Sequence, residues 1–477
     1  MPFRFPIVRS DTRDQAASGT SIQPVPFLLL LILGALLSFT TLVQAFLVIP
    51  DPNLFIRGFE LLFVGLFLLG AARSYTSITI HPSVAGWLFL AWLGAATISV
   101  ALAEHQGHAL IRQAEWLTHI LFAVCLWSFI RRHPLALKVI LVAIPLGFFL
   151  VGLNLLFTWM SLSAPRDYHW FTSVPLVGHV RHFGYYGLAA LLFSASPLLG
   201  SGEKGSLSAR CLALAALSVC WGFLFWSGGR AAIGSGFVGL ALLTWFTGKN
   251  QRLWTATISI AAAGLGLGLS AFFRVNDPRL GFLSSLARTA SDTSSYGVNG
   301  LTTGRLGIWE AALKSLDGHL WFGLGPDNYR FIPEPLHDGI QPHSLVVQFL
   351  TEWGIVGTIP FLILLSIVFW KAYVHLRREQ DTLRNTARIT ALVLMVSFTL
   401  HGLVDGLYYY AFPLLVLFCC FAVALLPTTS SPVEASSHPF LAHLTSRRVL
   451  WTALVLLSLV FVLNSDFFYL LFFQSSG

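Results

Sequence analysis

Runs of about twenty consecutive apolar residues recur along this chain, and each is long enough to cross the ~30 Å hydrocarbon layer of a bilayer as a helix. They fall near residues 27–49, 56–72, 84–103, 110–130, 136–158, 184–200, 211–228, 231–247, 253–273, 349–370, 389–409, 411–427 and 449–472. Barrel strands alternate in polarity and span about 10 residues, so runs this continuous argue for helices. Composition agrees. Charged residues make up 10% of the chain, against about 25% in soluble domains, too few to clothe a water-exposed globule. The expected fold is an all-α integral membrane protein with about 12–13 transmembrane helices and one large loop between the ninth and tenth.

The expected organisation follows. Residues 1–26 form a cytoplasmic tail carrying Arg4, Arg9 and Arg13, 27–273 hold helices one to nine, and 274–348 form a periplasmic loop with helical segments. Residues 349–427 hold helices ten to twelve, 428–448 a cytoplasmic linker, and 449–472 an extra helix. The first apolar run is longer than a signal-peptide core and lacks an A-x-A site, so it reads as a retained helix.

Orientation comes from the basic residues. Most of the 29 Lys and Arg, among them Arg131, Arg132, Lys249, Arg252, Arg377, Arg378 and Arg388, fall on the side that holds the N-terminus. The positive-inside rule therefore puts loop 274–348 outside, in the periplasm of an inner-membrane protein. On the same ground the net charge of +8 reflects orientation and not nucleic acid. The five cysteines all lie in or beside apolar runs, as packing residues and not a disulfide framework.

Ionisable residues within membrane helices are costly and are functional candidates. Here Arg57, Glu60, Arg112, Glu115, Arg181, Arg230, Glu352 and Asp405 all fall in the outer part of their runs, with His401 somewhat deeper. A transporter would keep its polar site near the midplane, at paired broken helices. The pattern favours a site open to the outside.

Arg230 follows two glycines in WSGGRAAIGSG, a tight outer hairpin. Phosphate suits it, because a planar guanidinium binds phosphate bidentately, although a snorkelling interfacial arginine fits as well. In the loop, Thr303 is positioned to cap a helix RLGIWEAALKSL, with Leu306, Trp309, Leu313 and Leu316 on one face and Asp317–Gly318 as its end. Arg305 in its first turn opposes the helix dipole unless an anion binds there. His343, in PHSLVVQFLTEWGIVG, is a candidate general base, with Gln348 and Glu352 following at helical spacing. His401 and Asp405 are spaced i, i+4. Neither an HExxH motif nor a Cys/His cluster is present, so no metal site and no cofactor is expected. GSGFVG (234–239) fits a nucleotide fingerprint literally but lies within an apolar run, where small residues serve packing.

Three segments resemble the O-antigen ligase and polymerase family: SGGRAAIGSGFVGLALL, TTGRLGIWEAALKSLDGHLWFGLGPDNY and PHSLVVQFLTEWGIVG. The resemblance implies a membrane glycosyltransferase that moves a glycan from a polyprenyl-diphosphate donor to an acceptor such as lipid A-core, without metal and with inversion. It implies that Arg230 and Arg305, and more weakly Arg181 in RHFGYYG, bind the donor diphosphate, and that His343 is the base. Gln348, Glu352, His401 and Asp405 are supporting candidates with no role carried over. Family members commonly have about 12 helices, so segment 449–472 would be extra. The competing expectations are a polymerase of the same family, a flippase for lipid-linked sugars, and a non-catalytic scaffold.

Overall fold

A computed structural model describes residues 24–39, 52–73, 83–200, 207–302, 304–332 and 340–428. The N-terminal tail, the linker beyond Thr428, the expected helix 449–472 and Thr303 lie outside the described residues. Among the described residues there are fourteen principal helices. They are α1 (Pro24–Phe39), α2 (Pro52–Arg73), α3 (Val84–Leu102), α4 (Gln106–Arg132), α5 (Leu135–Ser161), α6 (Val180–Ser194) and α7 (Leu207–Ser227). Then come α8 (Arg230–Phe246), α9 (Arg252–Ser270), α10 (Phe282–Leu301), α11 (Arg305–Lys314), α12 (Leu345–Arg378), α13 (Thr382–Gly402) and α14 (Ala411–Ala424). No strand occurs among the described residues.

Six of the helices, α3, α4, α5, α7, α9 and α12, are long and apolar enough to cross a membrane, and α1, α8 and α14 are shorter apolar helices. Many large apolar side chains on them point outward, including Leu153, Phe157, Trp245, Leu253 and Ile260. In water such a surface would be a liability, whereas against lipid it is the expected finish. The chain is an all-α, multi-pass membrane protein.

The bundle packs α7 on α9, α3 on α12, α1 on α5, α8 on α13 and α14 on both α13 and α4. An aromatic knot joins α3, α4 and α12. Trp353 lies edge-on to Trp92 at 5.3 Å and to Trp116 at 5.4 Å, and Phe349 stacks on it at 4.9 Å. At the end of the bundle away from the cavity described below, the buried Arg388 donates to the carbonyls of Leu426 (2.5 Å) and Pro427 (2.9 Å) and pairs with Glu379 at 3.2 Å. It thereby closes the C-terminus of α14, the dipole end that favours a cation.

The apolar run expected at 349–370 begins earlier, at Leu345, and is interrupted at Gly354 (φ 61°, ψ −168°). A break in a membrane helix leaves N–H and C=O groups that lipid cannot satisfy. The segment 319–325 satisfies them. Ile355 N donates to Leu320 O (3.0 Å), Val356 N to Trp321 O (3.1 Å), and Leu324 N donates to Thr351 O (2.7 Å). Ser99 of α3 donates to the Glu352 carbonyl at 2.6 Å. The fit requires bare backbone on both sides. A Cβ on Gly354 would lie 2.3 Å from Trp321 O, and one on Gly323 (φ 73°) 2.6 Å from Thr351 O. The aromatic-rich turn WFGLG is thus a docking segment for the helix break.

Candidate active site

Six segments far apart in sequence meet around one cavity of about 550 Å³ at one end of the bundle. The first is the start of α6. His179 precedes it and accepts the Arg181 N–H on its ring Nδ1 at 3.0 Å. Burial and the neighbouring charges of His182 and Arg181 push the His179 pKa down to about 4, so the ring stays neutral and keeps that acceptor. Arg181, on the first turn of α6, projects into the cavity.

The second segment is the turn before α8. Gly228 (φ 68°) lets the chain reverse, and a Cβ there would meet the Arg279 carbonyl at 2.9 Å. Gly281 N donates to Trp226 O at 2.8 Å from the other side. This clamp aims the N-terminus of α8, residues 229–232, at the cavity. The first-turn N–H groups of a helix lack intrahelical acceptors and carry partial positive charge, which suits an anion. Arg230 is the first helical residue, half-buried, and its guanidinium donates to the Thr289 hydroxyl of α10.

The third and fourth segments are the connector 271–281 with α10, and α11. Arg279 is held by Asp277 (Nη2 to Oδ2, 2.7 Å) and lies 4.0 Å over the Phe171 ring. Arg288 of α10 also lines the wall. Gly304 (φ 78°) occupies the cap position of α11, and Arg305 follows it. The stripe expected on α11 was Leu306, Trp309, Leu313 and Leu316, but the buried stripe is Ile308, Ala312 and Leu316, with Leu306 and Leu313 exposed. The helix is turned so that Arg305 and Ile308 face the cavity, and Trp309 donates its indole N–H to Pro342 O at 2.9 Å.

The last two segments bring in the titratable groups. His343 takes a left-handed backbone (φ 53°), held by its N–H donating to Gln341 Oε1 at 2.9 Å. His401 and Asp405 were expected on one helix face. Instead α13 ends at Gly402 and Asp405 lies in the connector beyond it. The connector turns back so that the two still meet, Nε2 to Oδ2 at 3.4 Å. Asp405 Oδ1 also lies 3.3 Å from His343 Nδ1 and accepts the Gly406 N–H at 2.8 Å, and its Oδ2 is 3.9 Å from Arg305. Burial alone would raise the Asp405 pKa, but hydrogen bonds from His343 and His401 and the charges of His401 and Arg305 hold it well below the usual carboxylate range.

The other ring nitrogen of His343, Nε2, faces Arg181 Nη1 at 3.4 Å. A guanidinium has donors only, so the nitrogen facing it presents a lone pair. In that tautomer the ring proton is on Nδ1 and points to Asp405. Gln341 Nε2 also lies 3.0 Å from Nδ1, but as an amide donor it bonds there only in the opposite tautomer.

Residues 213–362, from α7 to the first turns beyond the break in α12, match the family model described as O-antigen ligase. This part of the chain is similar to O-antigen ligases. The match supports a glycan-transferring membrane enzyme of polysaccharide biosynthesis. No curated protein matches the chain. The matched segment carries four of the cavity arginines and His343, while Arg181, His401 and Asp405 reach the cavity from outside it.

The structure brings Arg181, Arg230, Arg305, His343, His401 and Asp405 together, and does not bring in Gln348 and Glu352. Those two belong to a separate buried network. Gln348 donates to Glu352 at 2.9 Å, Glu352 lies 3.9 Å from Arg112 Nε, and Glu115 bridges Arg112 and Arg57, each at 2.8 Å. Arg112 does more than neutralise Glu115. Its two terminal nitrogens donate to the carbonyls of Tyr409 (3.0 Å) and Tyr408 (2.9 Å), fixing the connector that carries Asp405. Sequence reasoning missed Arg279, Arg288 and Gln341. Arg279 and Arg288 lie outside every recognisable motif, and the only signal for Gln341 was its place two residues before His343. Among the described residues no group of three His, Cys, Asp or Glu side chains is arranged to hold a metal ion.

Proposed function

We propose that this protein transfers a glycan from a polyprenyl-diphosphate donor to an acceptor hydroxyl at the periplasmic face of the bacterial inner membrane, with lipid A-core as the acceptor. The observation that carries this reading is the His343–Asp405 pair opening on the same cavity as Arg181, Arg230 and Arg305.

In the reaction the acceptor oxygen attacks the anomeric carbon from the face opposite the leaving group. The new glycosidic C–O bond forms as the bond from that carbon to the diphosphate breaks, with inversion. A sugar hydroxyl is a poor acid, so its proton passes to His343 Nε2 during attack, and Asp405 stabilises the resulting imidazolium. The lone pair on Nε2 becomes available when the donor diphosphate draws Arg181 away from it. Negative charge that grows on the leaving diphosphate is met by Arg230, Arg305 and the N-terminus of α8, already oriented before the reaction, and by Arg181 once the donor has drawn it over. Guanidinium groups supply this stabilisation without a metal ion. Charged groups gathered at one end of the bundle favour transfer over a flippase, which needs polar groups along its path. A polymerase would use the same donor chemistry and differ only in its acceptor.

A host lacking the gene, complemented with wild type or variants, tests the reading on a lipopolysaccharide gel. Wild type restores O-chain on the core. His343→Ala restores none although the protein accumulates in membranes, and Asp405→Asn lowers transfer about 10²–10⁴-fold. Single repeats on each core in the deletion host would reassign the protein as a polymerase. Near-normal ladders from His343→Ala would remove the base from the mechanism.

A further inference from the structure

Five arginines line the cavity, and four of them have partners. Arg181 meets His343 at 3.4 Å, Arg230 donates to Thr289, Arg279 is held by Asp277 at 2.7 Å, and Arg305 lies 3.9 Å from Asp405. Arg288 differs. It is half-buried on α10, its Nε is sealed from solvent with no acceptor, and it makes no hydrogen bond or ion pair among the described residues, feeling only at longer range the Asp277 carboxylate that Arg279 already holds. A guanidinium cannot shed its charge to escape this situation. Burying a donor without an acceptor is unfavourable, and more so for a charged one. Arg288 also adds to the like charge of Arg305 around Arg230.

An anion in the cavity would relieve both conflicts at once. The neighbour in sequence, Thr289, is the residue whose hydroxyl holds Arg230, so Arg288 and Arg230 belong to the same wall, beside the N-terminus of α8. We infer that Arg288 is a further donor-binding residue, whose guanidinium takes a phosphoryl oxygen of the diphosphate alongside Arg230. The inference rests on the donor reading given above and adds to it a residue outside the family-like motifs. An Arg fork fits phosphoryl oxygens in a way that a single ammonium does not.

The test is binding of undecaprenyl diphosphate, with no sugar attached, to the purified full-length protein in detergent, followed by tryptophan fluorescence. Wild type binds, Arg288→Gln binds about 10- to 100-fold more weakly, and Arg288→Lys recovers part of the loss. Leu283→Ala, an exposed position on the same helix, binds as wild type. Equal affinity in wild type, Arg288→Gln and Arg288→Lys would overturn the inference and leave the donor reading intact. Failure of wild type to bind would sink the donor reading itself. A loss seen only with a glycan-bearing donor would assign Arg288 to the sugar and overturn the phosphate role.

Discussion

His179 caps α6 through a neutral imidazole nitrogen, an arrangement that acid undoes. An ordinary histidine titrates near 6.5, while burial and the charges of His182 and Arg181 bring this one down to about 4. The unfolded chain therefore binds the proton more readily than the folded one. The contribution of His179 to stability is complete above about pH 6.5 and declines as the pH falls from there toward 4. Asparagine accepts the same N–H without titrating in that range. Thermal melts in detergent at pH 7 and pH 5 should show a smaller acid-induced drop for His179→Asn than for wild type. An equal drop would mean that the cap is not the titrating contact. The candidate site residues that were legible in sequence, Arg230, Arg305 and His343, each stood in a local pattern of glycines, a helix start or a proline. Arg288 and Arg279 stood in none, because what makes them notable is the company of side chains from other helices. Gln348 and Glu352 were misgrouped for the converse reason. Sequence proximity to His343 put them with the cavity, but one turn of α12 carries them round to Arg112.

Among the elements, the interrupted helix α12 is the most demanding of its sequence. The apolar period announced a membrane helix there, and the extent of most other helices was legible in the same way, since a lipid-facing run must be continuous. The break was not legible. A glycine inside an apolar run usually marks close packing, and only the carbonyls of Leu320 and Trp321 opposite Gly354 distinguish this one. The end of α13 was missed similarly, because the run 389–409 stays apolar past Gly402 while the backbone leaves the helix to present Asp405. Gly354→Ala should destabilise the protein by about 1–3 kcal/mol, because φ 61° with ψ −168° is a backbone region essentially reserved for glycine, with the clash against Trp321 adding to it. A lowered melting temperature with reduced membrane accumulation is the expected readout. Alanine at the exposed Leu313 serves as the neutral comparison, and equal stability of the two variants would mean that the break is not required.

For the molecule as a whole, the decisive property is which side of the membrane the cavity faces. The basic residues of the sequence argued for the periplasm, and that orientation can be tested with thiols. Cys211 is exposed at the end of α7 opposite the cavity, and the other four cysteines are buried. Leu306 is exposed on α11 beside the cavity. A cysteine at Leu306 should react with an impermeant maleimide in intact cells with an opened outer membrane. Cys211 should react only after the inner membrane is breached. The reverse order would turn the protein over and remove lipid A-core as its acceptor.

The docking of residues 319–325 against the break in α12 also bears on how the protein is made. Every group that satisfies the break lies earlier in the chain, Ser99 in α3 and the Leu320–Leu324 turn just ahead of it. When α12 leaves the ribosome, its partners have already been synthesised and delivered. The exposed amides of a broken helix need never wait in lipid for a segment still to come. On this order the large loop is expected to be needed for inserting the helix that follows it. Deleting the turn would then be felt first as failed insertion, before any question of catalysis arises.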